Sequence, residues 1–417
     1  MQTLTVDLGA RRYPIRIGQN LLTDAGHYPE AAGRECRLVS DRNVAAHYLE
    51  PVRAGLGLPL AHCLTLPAGE SQKTLENAGR VLDWLLETRL PRDGLLVALG
   101  GGVIGDLAGF VAAIYQRGID FMQIPTTLLA QVDSAVGGKT GVNHARGKNL
   151  IGAFHQPRAV LTDLDTLKTL PPRELRAGLA EVIKYGMLGD AASVIEKDVS
   201  SPALALGAAA GVVEKDLKSP ALAPGAAAGV IEKDLRPPAL ALGAAEFFGW
   251  LECELPALLA LHPGALLHAI GKCCAMKAAI VGQDERESGA RAVLNLGHTF
   301  AHAIETHTGY ATWLHGEAVA VGLCMAADLS ARLGWLTPQD AARCELLILR
   351  AGLPARPPAG MGPAHFLDLM GQDKKVKAGK LRLVLMKSLG TAVVTSDFDT
   401  GKLNETLVHF CTSPHAL

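Results

Sequence analysis

Short apolar runs alternate with longer amphipathic stretches through the first third of the chain. LTVDL (4–8), YPIRIG (13–18), CRLVSD (36–41) and LLVALG (95–100) are brief and apolar, and each predicts a strand. FMQIPTT (121–127) predicts another, ending in a polar turn. KTLENAGRVLDWLLETR (73–89) instead places its apolar residues at helical spacing. Strands alternating with helices imply βαβ units and a mainly parallel sheet.

From about residue 171 the texture changes. PPRELRAGLAEVIKYGML opens on two prolines and continues with helix formers at helical spacing. The rest of the chain reads mostly as helices separated by Gly or Pro, except KLRLVLMKSLGTAVVTS (380–396), which predicts a β-hairpin. The pattern therefore predicts an α/β domain over 1–170 and a mostly α-helical domain over 171–417, in keeping with a length that favours two cores.

One segment breaks this order. VIEKDVSSPALALGAAAG (194–211), VVEKDLKSPALAPGAAAG (212–229) and VIEKDLRPPALALGAAEF (230–247) form a tandem repeat with an 18-residue period. Each copy holds Pro and Gly, so no copy continues as one long helix. The repeat groups no catalytic side chains. We expect residues 194–245 to be a surface duplication dispensable for chemistry, with a partner-binding arm as the alternative.

The formal net charge of −1 gives no basic surface for nucleic acid. Eight scattered cysteines without a Cys-x-x-Cys pair suit reduced thiols in a cytoplasmic protein. MQTLTVDLGARRYPIRIG lacks the pattern of a signal peptide. The most apolar stretch (94–115) carries Asp106 and a glycine cluster, so it reads as strand, turn and helix rather than a membrane span.

That turn is the first place with chemistry. LGGGVIGDLAGF (99–110) lets backbone approach a ligand closely at Gly100–Gly102, and the helix it opens offers free N–H groups to dinucleotide phosphates. Asp41 and Asn43 end an earlier strand, where a ribose hydroxyl or plain solvent would serve equally. QVDSAVGGKTGVNHARGKNLIGAF (131–154) brings Asp133, Lys139, Asn143, Lys148 and Asn149 together on what reads as a glycine-rich loop, suited to an anionic substrate.

The second domain holds metal candidates. His298 and His302 stand at i, i+4 on one helix face; His315 and Glu317 lie in LHGEAVAVG, and Glu181 and Lys184 lie one helical turn apart. Ionisable groups recurring in apolar helices are costly unless paired or metal-bound, and imidazole with carboxylate suits a zinc-like ion. Spacing leaves open whether His302 is a ligand or an acid/base. Arg117, Lys277, Arg291, Lys374 and Lys375 add cations for a substrate bearing phosphate and carboxylate.

At PAGESQKTL, GGGVIGD, IPTTLLAQVDSAVGGKTGVN, GKNLIGAF, GLAEVIKYG, RAVLNLGHTFAHAIE, LHGEAVAVG and DKK the chain closely resembles the 3-dehydroquinate synthases, sugar-phosphate cyclases of the shikimate pathway. The match runs through nearly the whole chain outside the repeat. It implies an N-terminal Rossmann-like NAD domain, a C-terminal helical metal-binding domain, an active site in the cleft between them, and a homodimer. By the resemblance, Glu181, His298 and His315 are ligands of zinc or cobalt. Asp41, Asn43, Glu70, Lys73, the helix start Gly102, Val103, Ile104, Gly105 and Asp106, and Thr126 and Thr127 resemble the NAD site. Lys139, Lys148 and the stretch Thr166, Leu167, Lys168 and Thr169 adjoin it. Arg117, Asp133, Lys139, Asn149, Lys184, Lys277, Arg291, Asn295, His302 and Lys374, with Lys375 beside it, resemble substrate contacts, which makes His302 catalytic rather than a ligand.

The implied substrate is 3-deoxy-D-arabino-heptulosonate 7-phosphate. The implied chemistry is transient oxidation by NAD, phosphate elimination, reduction, ring opening and aldol closure to 3-dehydroquinate. The inserted repeat departs from the family, in which KYGMLGD would lead almost directly to a segment like EFFGWLE. The alternatives are another sugar-phosphate cyclase, a non-catalytic descendant using the repeat as an interaction module, and a polyol dehydrogenase.

Overall fold

The computed structural model describes residues 1–189, 195–196, 243–310, 312–371 and 381–412. In the first part β1 (Gln2–Val6), β2 (Tyr13–Gly18), β3 (Cys36–Asp41), α1 (Arg42–Gly55), β4 (Cys63–Leu66), α2 (Leu75–Glu87), β5 (Leu95–Gly100), α3 (Gly102–Ile114) and β6 (Asp120–Pro125) follow one another. A hairpin of β7 (Lys139–His144) and β8 (Gly147–Phe154) comes next, and β9 (Val160–Asp163) completes the strands of this part.

The main sheet has seven strands in the order β1-β2-β9-β6-β5-β3-β4. Only the β1–β2 pair is antiparallel. Chain order reverses between β3 and β5, because the chain passes from β3 out to β4 and then back to β5 on the other side of β3. A crevice outside the carboxyl ends of the strands opens at such a switch point. Successive residues of the central strands face opposite layers. Val39, Leu96 and Phe121 pack with α2 and α3, whereas Leu38, Val97 and Ile124 pack with Val52 of α1.

Several boundaries differ from the sequence pattern for local reasons. β1 stops at Val6 because the Asp7 carboxylate accepts the Gly9 N–H at 3.1 Å and starts a turn. β6 stops at Pro125, and Thr127 then caps the next turn by accepting the Ala130 N–H. Thr74 caps α2, which leaves Lys73 outside the helix. The stretch read as a glycine-rich loop is the β7–β8 hairpin. Gly141 and Gly152 face each other across it so closely that a Cβ on Gly152 would stand 2.1 Å from the Thr140 carbonyl oxygen. Glycine there serves strand approach rather than looseness.

The second part is helical: α4 (Pro172–Leu188), α5 (Ala244–Leu259), α6 (Pro263–Gln283), α7 (His298–His307), α8 (His315–Arg332), α9 (Pro338–Arg350), α10 (Pro363–Gly371) and α11 (Thr400–Thr412). A short strand β10 (Ile195–Glu196) runs parallel to β12 (Thr391–Thr395), which pairs with β11 (Leu383–Ser388) in the expected late hairpin. β10 belongs to the first repeat copy; the rest of that segment up to Leu242 lies outside the described residues. One hydrophobic core joins the two parts, since Val6, Ile15 and Ile17 of the sheet pack in the same cluster as Leu179, Ile270 and Val319. α6 is long and apolar enough to cross a membrane, yet 72% of its apolar window is buried, and it packs on β1.

Candidate active site and metal centre

Three helices bring Glu181, His298 and His315 together, with their ligand atoms within 4.8 Å of one another. Glu181 lies in the middle of α4 with no exposure. His298 and His315 each open a helix, α7 and α8. Glycines permit the close packing this needs. Gly297 precedes His298 at φ +75°, a left-handed conformation natural to glycine. Gly316 follows His315, where a Cβ would stand 1.9 Å from the Ala177 carbonyl oxygen of α4.

The donor set fits a divalent ion. His298 Nε2 lies 3.6 Å and His315 Nε2 3.5 Å from the same Glu181 oxygen, Oε1. Neither Glu181 oxygen has a well-directed hydrogen bond, although Lys184 Nζ stands 2.5 Å from Oε2. A buried carboxylate facing two imidazoles and lacking directed donors suits a zinc-like cation with an open position. The other imidazole nitrogens face acceptors: His298 Nδ1 lies 3.0 Å from the Leu296 carbonyl and His315 Nδ1 3.3 Å from Glu305 Oε1. Burial disfavours a charged His315, but the Glu305 charge and contacts with both glutamates outweigh it and push its pKa up to about 10.

A charge network continues from the triad. Lys184 reaches toward Asp133, which sits in the turn Ala130–Ser134 and takes Lys277 at 2.8 Å and the Tyr185 hydroxyl at 2.8 Å. Burial opposes the Asp133 charge, but the two lysines and the Tyr185 hydroxyl outweigh it and hold the carboxyl well below the usual carboxylate range. Burial works against Lys184 as well, and Asp133 and Glu181 reverse it, raising that lysine. Lys277 is lowered by burial, with Arg291 adding to the effect against Asp133. Arg291 is 1% exposed and donates to the Gly137 and Glu285 carbonyls. Lys139 of β7 pairs with Glu287, which also accepts from Asn295 at 2.8 Å.

A second group lines the carboxyl edge of the main sheet. Asp41 follows β3, Glu70 and Lys73 follow β4, Gly102 follows β5, Thr126 and Thr127 follow β6, and Thr166 to Thr169 follow β9. All five strands are parallel, so these residues share one edge. At the switch point α3 presents its N-terminus, which is suited to phosphate. The Thr126 and Ser134 hydroxyls beside it are buried without partners. Lys73 pairs with Asp106 and donates to Asn149 at 2.6 Å, while Glu70 accepts from Asn143 at 2.8 Å. A dinucleotide phosphate and its sugar fit this edge of N–H groups and unpartnered hydroxyls.

Family profiles match both parts of the chain: 3-dehydroquinate synthase N-terminal over residues 63–177 and 3-dehydroquinate synthase C-terminal over residues 239–376. The chain belongs to the 3-dehydroquinate synthase family. Proteins named 3-dehydroquinate synthase from Pseudomonas putida and Azotobacter vinelandii are each 50% identical to it over 408 residues, covering 98% of this chain and 97% and 96% of theirs. Among solved structures, a 2-deoxy-scyllo-inosose synthase complexed with carbaglucose-6-phosphate, NAD+ and Co2+ has a TM-score of 0.75 at 22% identity, covering 98% of this chain and 100% of that one. A 2-epi-5-epi-valiolone synthase from Streptomyces hygroscopicus subsp. jinggangensis with NAD+ and Zn2+ bound has a TM-score of 0.74 at 24% identity, covering 95% of each chain. These two share the fold: a parallel Rossmann-like sheet followed by a helical part.

Not every expected family position joins the cluster. Arg117 is exposed at φ +68° beyond the far end of α3; that helix has 13 residues and so spans ~20 Å, and the single chain keeps Arg117 away from Gly102. Ile104 and Leu167 turn their side chains into the core, which leaves only backbone for a cofactor. The Thr166 hydroxyl is engaged by Asp163 and Gln131, and Asp41 caps α1. Lys148 pairs with Glu305 at 2.9 Å, and His302 sits half-buried with its ring edge-on to His298 at 5.9 Å. Lys374 and Lys375 lie outside the described residues.

Sequence reasoning passed over Tyr185, Glu287 and Glu305. Tyr185 adjoins Lys184 in the same motif. Glu305 had a signal, because it stands at i+7 from His298 and i+3 from His302 on a mostly buried helix face. Glu287 carried none, since its role arises largely from Lys139, 148 residues away in the chain.

Proposed function

We infer that this chain is a 3-dehydroquinate synthase that converts 3-deoxy-D-arabino-heptulosonate 7-phosphate to 3-dehydroquinate and phosphate. The observation carrying this is the buried Glu181–His298–His315 triad, linked through Lys184 to Asp133 and Lys277, in a chain half identical to proteins named for that activity. Bound NAD supplies a reversible hydride acceptor, and a divalent ion, zinc or cobalt, supplies a Lewis acid for a substrate hydroxyl. Asp41, Asn43, Glu70, Lys73, Gly102, Thr126 and Lys148 would hold the former; Glu181, His298 and His315 the latter.

The protein's own groups then have separate tasks. Lys184 and Lys277 stay placed because Asp133 remains ionised between them, so Asp133 orients cations and does not release a proton at neutral pH. Arg291, Asn295 and Lys139 supply donors for the substrate's carboxylate and phosphate oxygens. His302, adjacent to the triad, moves the proton. A division into domains near residue 170, a homodimer and cytoplasmic residence complete the proposal; the free state of all eight cysteines supports the last.

Another sugar-phosphate cyclase or a non-catalytic descendant is less well supported, because the half-identical relatives span nearly the full chain under one activity name. The test is product identification by NMR after incubation with the heptulosonate phosphate, NAD and zinc or cobalt. A carbocyclic 3-dehydroquinate is expected, and a different ring product would reassign the substrate.

A further inference from the structure

His315 turns one nitrogen toward Glu181 and the other toward a residue that no part of the functional reading uses. Glu305, near the end of α7, is 2% exposed. Its Oε1 lies 3.3 Å from His315 Nδ1 and 2.9 Å from Lys148 Nζ of β8. Lys148 also stands over the Tyr310 ring, 4.8 Å from its centroid. Glu305 therefore touches a candidate metal ligand from the helical part and a candidate cofactor lysine from the hairpin, 157 residues apart from it in the chain.

An ionised carboxylate only accepts hydrogen bonds. With Glu305 ionised, the hydrogen of a neutral His315 belongs on Nδ1, and the Nε2 lone pair faces the triad. His298 reaches the same tautomer through the Leu296 carbonyl, a backbone group that no side-chain change removes. His315 instead meets a side chain at that nitrogen, and that side chain is shared with the opposite wall of the site.

We propose that Glu305 is a positioning residue for the metal centre: its direct contact fixes the tautomer and aim of His315, and its pair with Lys148 is not needed for that. The inference rests on the reading that Glu181, His298 and His315 hold a divalent ion. Glu305 does not touch the ion's place itself. Its effect is carried by the imidazole, as outer carboxylates do for ligating histidines.

The test measures metal affinity on metal-stripped full-length protein by competition with a chromophoric zinc chelator, for wild type, Glu305→Gln, Lys148→Met and the double variant. Glu305→Gln should bind zinc about 10–100-fold more weakly, and Lys148→Met should show no such loss. If Glu305→Gln fails to fold, the double variant, which leaves no unpaired lysine at Glu305's place, carries the same expected loss. Affinity unchanged in the Glu305 variants, or lost equally in Lys148→Met, would make Glu305 only an ion-pair partner and overturn the inference alone. If wild type takes up no ion, or His315→Ala keeps full affinity, the ligand assignment falls and the inference with it.

Discussion

Gly316 lies against Ala177 with no room for a side chain: a Cβ would meet the Ala177 carbonyl oxygen at 1.9 Å and its carbonyl carbon at 2.5 Å. The contact sets α8 against α4, and so sets His315 beside Glu181. The neighbours are backbone atoms, which cannot rotate aside. Gly316→Ala should therefore push the helices apart, cost about 1–3 kcal/mol, and lower metal affinity together with stability. Urea unfolding and chelator competition on the same preparation check both. A variant as stable and as well loaded as the parent would show that this approach does not build the site.

Asp133 anchors the two buried lysines. Asp133→Asn would leave Lys184 and Lys277 without their shared anion, and breaking a buried pair in this way costs about 3–5 kcal/mol. The pH dependence has a definite sign. The folded carboxyl titrates below its unfolded value, so its stabilisation is complete above about pH 4 and is lost as pH falls through the lower folded value. Acid unfolding of the wild type should lose this contribution only below that point, and Asp133→Asn should lack it at every pH. Equal denaturant midpoints for the two proteins at neutral pH would contradict the role given to Asp133.

The ease of reading the site tracked the range of its interactions. His298 and His302 share a helix face, and Glu181 and Lys184 share a turn, so helical spacing alone grouped them. The strand CRLVSD and the turn after LLVALG were visible because their patterns are local. The strand at Cys63–Leu66 was not, being only four residues long. The β7–β8 hairpin hid behind its glycines, which usually signal loops. Glu287 and Tyr185 gain meaning from Lys139 and Asp133, which reach them from distant parts of the chain. No periodicity records such contacts.

His315→Ala should strip the ion and activity together, because two remaining ligands hold zinc poorly. Metal analysis of the dialysed variant checks this. A full complement of ion in that protein would remove His315 from the ligand set.

Residues 194–245 contain none of the candidate site residues. Deleting 193–244 would join Ala192 to Ala245 and take with it β10, a strand of two residues on the edge beside β12. The shortened protein should fold, bind metal and keep its turnover within about tenfold of the parent, a barrier change near 1.4 kcal/mol. A deletion that is stable and metal-loaded yet slower by several orders of magnitude would make the insertion part of the active site.

The most direct measurement records phosphate release and NADH absorbance in one reaction containing the purified protein, 3-deoxy-D-arabino-heptulosonate 7-phosphate, a divalent metal and NAD well below the substrate concentration. Phosphate should accumulate far beyond the NAD supplied, with no lasting rise in NADH, because the cofactor is oxidised and restored within each turnover. NADH formed in proportion to substrate consumed, without phosphate release, would instead mark a dehydrogenase and contradict the assignment.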